Sequence, residues 1–561
     1  MVNIVQITLS NRQARLLIFF LLISLSLQKI EAMLKRLPSG ESSFTSIREG
    51  DWLYVDKTED IHRLVTSGKY FFLSRPRRFG KSLTVSTLKA LFEGHRELFE
   101  GLWIAEHGGW DWSKTNPVIS LSFNGLDYLN QPLETALAKE IELKAEAHGI
   151  TLTSDTSKDR FKELILKLGK TNRVVVLIDE YDKPINDYLT DYEMADTNRD
   201  VLGNFFGALK ANDITDNPRF VFITGVSKFS KVTLFSELNN LTDITQHKRF
   251  GTLVGITQAE LEGYFGEHIA RLAEDEGLTK EAVLAKIKHW YNGYTWDGHH
   301  SLYNPFSLLG LFGSGSFKNF WFTSGTTGWL ARKLRETALN VSELEGMVVD
   351  ESFFDKFEVR NLDPAVLLYQ TGYLSIKKVQ GEGIKRYTLD YPNFEVRHSL
   401  MSNLFTEYSL RPVSESASLV WALEGALAAK DLPKFISLLR GIFADISNRL
   451  LKQYVEADSL KLWEAYYQTV IYLALNLTGT EVACEVQTNR GYIDAVAETK
   501  DHVYVMEFKV GKAAEAMQQI KGKGYPEKYL HRGKPVTLLA VGFDPATRNI
   551  GDWEEEAVSK H

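Results

Sequence analysis

Residues 70–82 read YFFLSRPRRFGKS, and this stretch decides the fold of the first half of the chain. Four apolar residues lead into a basic loop that contains one glycine, and a helical pattern begins near Lys81. Three more apolar runs follow, at 117–121, 174–178 and 220–223. Short runs that are apolar throughout favour strands buried on both faces, and helical stretches between them favour crossover connections. The sequence therefore predicts an α/β architecture with a parallel sheet.

The composition excludes several classes of protein. The chain has 561 residues, 44% of them hydrophobic and 24% charged, which is typical of a folded protein with several domains and not of a disordered or collagenous one. The net charge of −7 excludes a strongly basic nucleic-acid coat protein. The single cysteine, Cys484, cannot form an internal disulfide or a cysteine-rich zinc site, so the chain fits a reducing compartment.

The loop after the first predicted strand has the chemistry of a phosphate site. Gly80, Lys81 and Ser82 match the end of the Walker A pattern between a strand and a helix. Glycine lets the backbone approach phosphate oxygens, lysine reaches the β and γ oxygens, and the serine hydroxyl ligates Mg²⁺. The first glycine of the pattern is replaced here, so the loop is expected to curve differently. Three arginines are candidates for compensating phosphate contacts: Arg75, Arg77 and Arg78. The alternative is a basic surface turn.

A second motif supports the first. The apolar run 174–178 ends in Asp179 and Glu180, as in a Walker B strand. Asp179 would hold Mg²⁺ beside Ser82, and Glu180 would polarise the attacking water. The alternative is that the two acids cap the next helix. Thr224, at the end of the run 220–223, is a candidate for sensing the γ-phosphate, or is a turn residue.

A different motif lies near the C-terminus. Glu507 and Lys509 alternate along a predicted strand and therefore share one face, while a turn near 500–501 would bring Asp494 alongside. Two carboxylates can share a Mg²⁺ ion while the lysine orients or activates water, which is the chemistry of a metal-dependent nuclease. Three further candidates flank this core: Glu464, Glu485 and Gln519. The alternative is a solvated hairpin whose acid and lysine pair on its surface.

The N-terminus is open to two interpretations. Arg12 and Arg15 precede an apolar run, 16–27, with the length of a signal-peptide core. Residues 1–32 are therefore an export signal or membrane anchor, or a leader upstream of a true start at Met33. We favour the second interpretation, under which the protein is cytoplasmic and has no stable membrane association.

Two sets of motifs resemble known families. YVDKT (54–58), SRPRRFGKS (74–82) and LIDEYDKPI (177–185) resemble the predicted AAA-ATPase-like domain, in which an arginine in place of the first Walker A glycine is typical. Motifs near the C-terminus resemble the PD-(D/E)XK nuclease domain that commonly follows it: NRGYIDAVAE (489–498), VMEFKV (505–510) and QQIKGKGYPEKY (518–529). Members are mostly uncharacterised bacterial proteins, so the resemblance supplies no substrate.

The resemblance implies roles for the same residues. It implies ATP binding by Lys81 and Ser82, and magnesium and hydrolysis roles for Asp179 and Glu180. It also implies a nuclease metal site, at Asp494, Glu507 and Lys509. The predicted parts are a leader or mis-called start at 1–32, a P-loop AAA-like domain at 36–255, a helical lid at 256–345, a winged-helix-like and helical linker at 346–460, and a PD-(D/E)XK nuclease-like domain at 461–550.

We therefore expect an ATPase coupled to a Mg²⁺-dependent nuclease that acts on DNA or RNA. Lysines at 512, 521 and 523 could serve the nucleic-acid backbone or form a solvated helix face. The alternative function is a nucleotide-regulated signalling or interaction protein whose nuclease-like domain only binds a partner. An arginine supplied by a second copy would require a homo-oligomer, and Arg219 and Arg249 are candidates for it.

Overall fold

The computed structural model describes most of the chain after the N-terminal segment. The ranges are 34–228, 240–321, 327–336, 341–355, 360, 363–445, 460–479, 481–488 and 491–558. The apolar run 16–27 lies outside them. Within these ranges, no helix combines the length and apolar character that a membrane crossing needs.

The predicted parallel sheet is confirmed in the N-terminal part. Its described strands are β1 (Tyr70–Ser74), β2 (Val118–Ser122), β3 (Val174–Asp179), β4 (Pro218–Gly225) and β5 (Thr242–Asp243). They run parallel in the order β2–β3–β4–β1–β5. Strands β1, β3 and β4 are almost entirely buried, as their apolar sequences require. Because β4 lies between β1 and β3, the ends of all three strands meet at one edge of the sheet.

Helices connect and cover this sheet. They are α1 (Phe44–Glu49), α2 (Thr58–Ser67), α3 (Lys81–Glu93), α4 (Trp103–Glu106), α5 (Leu133–Ala147), α6 (Ser157–Gly169), α7 (Lys183–Asn186) and α8 (Tyr192–Phe206). Helix α3 lies between Gly80 and Gly94, which both have left-handed backbone conformations. It packs against β2, β3 and β4, so the loop before it is fixed to the sheet at both ends.

The next part of the chain is helical, as predicted for the lid. It contains α9 (Gln258–Tyr264), α10 (Gly266–Glu276), α11 (Lys280–Tyr291), α12 (Pro305–Ser314) and α13 (Thr327–Glu336). Helices α9 to α12 share an apolar core of their own, which includes Leu261, Ile269, Ile287 and Leu308. Helix α9 begins with a capping box in which Thr257 and Glu260 bond each other's backbone amides.

The predicted order of helix, hairpin and helix is observed in the middle of the chain. Helix α14 (Pro364–Thr371) precedes β7 (Ser375–Gln380) and β8 (Arg386–Asp390), and α15 (Phe394–Ser409) follows. An additional strand, β6 (Met347–Val349), pairs with β8 and was not predicted. Long helices then lead to the C-terminal part: α16 (Val413–Ala428), α17 (Leu432–Asp445) and α18 (Leu460–Leu477).

The C-terminal part is a second α/β unit. Its strands are β9 (Glu481–Thr488), β10 (Gly491–Glu498), β11 (Val503–Val510), β12 (Val536–Asp544) and β13 (Asn549–Val558), and α19 (Ala513–Gly522) follows β11. The strand order in the described residues is β13–β12–β11–β10–β9, with only the β11–β12 pair parallel. Helix α18 packs against β9 to β11, and α19 against β11 to β13. Strands β12 and β13 were not predicted, and β13 is an exposed edge strand.

A buried carboxylate holds the lid against the helix, hairpin and helix of residues 364–409, which we call the middle module. Glu395, at the start of α15, is fully buried and accepts hydrogen bonds from the Ser307 hydroxyl at 2.7 Å, the Phe320 amide at 2.5 Å and the Trp321 amide at 2.8 Å. Burial raises the pKa of Glu395 to about 7 despite these bonds. Three separate segments therefore depend on one acid whose charge changes near neutral pH.

The raised pKa predicts how stability depends on pH. Above the ordinary pKa of 4.5 and up to about 7, folded Glu395 keeps a proton that the unfolded chain has released, so stability falls as pH rises through this window. The difference amounts to about 3 kcal/mol. Glu395→Gln mimics the protonated acid, because its amide oxygen can accept the bonds from the two backbone amides while its NH₂ group can donate to the Ser307 hydroxyl. We expect its melting temperature to match that of the wild type at pH 5 and to exceed it at pH 8. A constant difference at both pH values would contradict this.

Candidate functional site

The phosphate loop closes around the side chain of Lys81. Lys81 is 6% exposed, and its ammonium donates hydrogen bonds to the carbonyls of Arg75 and Pro76, both at 2.9 Å. The left-handed turns of the loop fall on Arg78, with φ of 68°, and Gly80, with φ of 92°. The position that lacks the usual glycine therefore needs no positive φ. The loop turns two residues before Gly80, which sequence reasoning did not predict.

Three carboxylates surround the lysine at the end of β3. Asp179 is buried, and its Oδ1 has no hydrogen-bond partner among the described residues. Glu180 has a left-handed backbone with φ of 54°, and burial, followed by the charge of Asp179, raises its pKa. Burial lowers the pKa of Lys81, while Asp179, Asp182 and Glu180 counteract this effect. A buried carboxylate oxygen without a partner fits a Mg²⁺ ligand.

Asp182 is a residue that sequence reasoning missed. It is 1% exposed and accepts hydrogen bonds from the amides of Val226 at 3.0 Å and Ser227 at 2.6 Å, and from Asn186 Nδ2 at 2.7 Å. Burial raises its pKa. The signal was present, since Asp182 lies in the same acidic stretch three positions after Asp179. It ties β3 to the segment that follows β4.

An open cleft of about 480 Å³ lies over these groups. Among its lining residues are Arg77, Arg78, Gly80, Lys81, Ser82, Glu180 and Asp182. Arg78 is exposed, and its guanidinium lies 4.6 Å from the ring centre of Phe306. The positive charge of Arg77 acts on both Glu180 and Lys81. The structure therefore brings most of the sequence-predicted nucleotide residues to one cleft.

Two predicted residues point elsewhere. The Arg75 guanidinium donates from Nη1 to the carbonyls of Ser74 at 2.9 Å and Thr245 at 2.6 Å, and it does not line the cleft. The Thr224 hydroxyl donates to the carbonyl of Leu73 at 2.9 Å and is fully buried. Because both side chains bond to the backbone, this arrangement does not favour phosphate contact by Arg75 or γ-phosphate sensing by Thr224.

An apolar cavity of about 100 Å³ adjoins the cleft at Gly80 and Leu83. Its walls come from the N-terminal segment, α3, the chain after β5 and the lid, and include Pro38, Tyr54, Leu253 and Ile256. Sequence reasoning missed this cavity because its residues are scattered over more than two hundred positions. A polar cleft beside an apolar cavity offers separate environments for the charged and the flat, apolar parts of one ligand.

The C-terminal candidate residues also meet. Asp494 and Glu507 lie opposite each other on β10 and β11, since Ala495 pairs with Met506. The Asp494 amide donates to Glu507 Oε2 at 3.4 Å, and Asp494 Oδ2 accepts the amide of Phe508 at 2.7 Å. The hairpin predicted from the spacing is therefore present, with its turn over 499–502.

Helix α19 completes this group. Gln519 accepts a hydrogen bond from Lys509 Nζ at 3.3 Å and donates one to Glu507 Oε1. Glu507 is 1% exposed, and its burial, followed by the charge of Asp494, raises its pKa to about 8. A divalent cation between the two carboxylates would relieve their repulsion.

Among the described residues, the C-terminal site offers two carboxylates as metal ligands, those of Asp494 and Glu507. Within the described ranges, no group of three or more His, Cys, Asp or Glu side chains is placed to hold one metal ion together. The side chains of Glu464 and Glu485, the two extra acids predicted from sequence, lie outside what the structure describes. Lys512 and Lys521 are exposed, and Lys521 forms an ion pair with Glu556.

Comparisons with known proteins identify a family domain in each of the two parts of the chain that hold these residues. Residues 38–235 match the model of the predicted AAA-ATPase family, and residues 462–553 match the PD-(D/E)XK nuclease superfamily. A protein of Azotobacter chroococcum mcd 1, described as an uncharacterized protein in the vnfD 5' region, is 40% identical over 532 residues, which are 93% of this chain and 99% of that protein. No solved structure matches the chain.

The paired carboxylates predict a metal-dependent gain in stability. In the absence of nucleotide, we expect millimolar Mg²⁺ to raise the melting temperature of the full chain, because the ion binds only the folded pair. At a hundred times its Kd, an ion contributes about 2.7 kcal/mol. Glu507→Gln should remove this rise, while Glu515→Gln, an exposed change on the neighbouring helix α19, should keep it. An equal rise in both variants would exclude Glu507 as a ligand.

Proposed function

This chain belongs to the family of predicted AAA-ATPases that carry a C-terminal PD-(D/E)XK nuclease domain, and we propose that it hydrolyses ATP and cleaves nucleic acid. The observation that carries the proposal is that each domain gathers the charged residues its chemistry needs. Lys81, Glu180 and Asp182 share one cleft, while Asp494, Glu507 and Lys509 share one sheet face.

In the cleft, the residues of this chain would neutralise the phosphate charge, orient the nucleotide and take a proton from the attacking water. Lys81 and Arg77 supply positive charge for phosphate oxygens, and the amides at the start of α3 point toward the same region. Mg²⁺, when held by Ser82 and Asp179, would neutralise charge on the β and γ phosphates. Glu180, whose pKa is raised, is a stronger base than an ordinary carboxylate and suits the task of accepting a proton from water.

The apolar cavity beside the loop supports a nucleotide with a flat base. Its lining is almost wholly apolar, so it would bind a purine through burial of the ring and not through many hydrogen bonds. Gly80 and Leu83 border both the cavity and the cleft, so one molecule could place its base in the first and its phosphates in the second.

At the C-terminal site, the residues would hold an ion and activate water. Asp494 and Glu507 would ligate Mg²⁺, which supplies a Lewis acid for the scissile phosphate. Lys509 is half-buried and held by Gln519, and its ammonium would orient the attacking water or stabilise charge on the phosphate. The substrate we propose is DNA or RNA.

Lys81→Ala tests the ATPase assignment. We expect this variant to bind ATP about 10- to 100-fold more weakly, since a charge-assisted contact to phosphate is lost, and to release no phosphate above background. Lys89→Ala is the matched control, because Lys89 lies on the outer face of the same helix. Binding would be measured by calorimetry and turnover by phosphate release. Unchanged turnover by Lys81→Ala would refute the assignment.

Lys509→Ala tests the nuclease assignment. Plasmid DNA, DNA oligonucleotides and RNA would be incubated with the full chain, with and without Mg²⁺ and ATP. We expect Mg²⁺-dependent cleavage to fall at least about 100-fold in this variant. Lys500→Ala, an exposed change in the β10–β11 turn, should cleave like the wild type. If no nucleic acid is cut by a protein that still hydrolyses ATP, a regulatory ATPase with a binding domain becomes the better reading.

A further inference from the structure

A second polar cavity, of about 360 Å³, lies beside β1 and β5. It is distinct from the nucleotide cleft, since none of its lining residues also lines that cleft. Its walls come from both the ATPase domain and the middle module, and include Arg75, Lys228, Gln246, Trp296, Phe354 and Tyr369. The volume lies within the range of small-molecule sites in proteins.

The wall of this cavity contains a buried cation with an unused edge. Arg75 is 1% exposed, and its Cζ lies 4.3 Å from the ring centre of Trp296. Only Nη1 donates to described residues, while Nε is buried and has no partner. The edge formed by Nε and Nη2 is one that binds a carboxylate or phosphate with two parallel hydrogen bonds.

Arg75 forms no direct ion pair, although the charges of Asp297 and Asp243 act on it from a longer distance and counteract the lowering of its pKa by burial. Glu351 also lines the cavity. Among described residues, no carboxylate oxygen lies within the 4.0 Å of an ion pair with its guanidinium. Asp243, which also lines the cavity, pairs with Lys228 at 2.7 Å, and its other oxygen accepts the Thr245 amide at 2.9 Å. A buried arginine without a direct ion pair is costly, and an anionic ligand would reduce that cost.

The remaining lining favours a flat ligand. Trp296, Phe354 and Tyr369 supply aromatic surface, and Gln246 supplies an amide group that can donate or accept hydrogen bonds. Gln246 Nε2 lies 3.4 Å from the Tyr369 hydroxyl, a long contact that a ligand could replace.

We propose that this cavity binds a small organic anion that carries a carboxylate or a phosphate on a flat ring, with the Arg75 guanidinium as its anchor. The inference does not depend on ATP hydrolysis or on nucleic-acid cleavage. The two sites are nevertheless in contact, since the Arg75 carbonyl accepts a hydrogen bond from Lys81 of the nucleotide cleft.

The test uses the full-length wild-type protein, because the Lys81 ammonium holds the carbonyl of Arg75 and its loss would disturb the proposed anchor. Benzoate, phenyl phosphate and inorganic phosphate would each be titrated by calorimetry, with benzamide as the neutral match for benzoate. We expect saturable binding of benzoate or phenyl phosphate with a Kd below about 1 mM, and at least tenfold weaker binding of benzamide. The acid that binds more tightly identifies the anionic group.

Two variants of this protein locate the binding and distinguish the cavity from the nucleotide cleft. Arg75→Met should abolish it by removing the anchor, and Gln246→Trp should abolish it by filling the cavity without changing the guanidinium. The melting temperature of Gln246→Trp would establish that it is folded. Three results would overturn the proposal: no saturable binding at 10 mM (about tenfold above the expected Kd), equal binding of benzamide, or full binding by a folded Gln246→Trp protein.

Discussion

The N-terminal site depends on the burial of one charged group, the ammonium of Lys81. Lys81 is buried, and its direct bonds are to two carbonyls of its own loop, so the charge relies on the acids at the end of β3 for compensation. Removing a positive charge here would leave three neighbouring carboxylates, and two of them already have raised pKa values from burial. The loop, β3 and β4 are therefore held together by a balance of charge as well as by apolar packing.

That balance extends beyond the sheet. Asp182 fixes the amides of Val226 and Ser227, and the next residue, Lys228, exchanges backbone hydrogen bonds with the Gln370 side chain on α14. A short path of hydrogen bonds thus joins the acidic end of β3 to the middle module. Such a contiguous path is a physical route by which a change at the nucleotide cleft could reach the helices before the nuclease-like domain.

Local patterns in the sequence predicted the features that neighbouring residues determine, namely which runs form buried strands and which side chains share a face. Strands β1, β3 and β4 are continuous apolar runs, and simple alternation put Glu507 and Lys509 on one face. The direction of the Arg75 side chain could not be predicted, because it depends on Trp296, more than two hundred residues later. Likewise β13 has a polar sequence, and only pairing with β12 makes it a strand.

The same polar strand limits how this protein can meet copies of itself. An exposed edge strand offers unpaired backbone groups to any other strand, which is a route to aggregation. β13 presents Glu554, Glu555 and Glu556 in succession, all exposed. If the β13 strand of a second copy paired with this one, the glutamates of the two strands would lie close together and repel each other. The charged edge therefore disfavours pairing between the β13 strands of two copies. Any association between copies is expected to use a different surface.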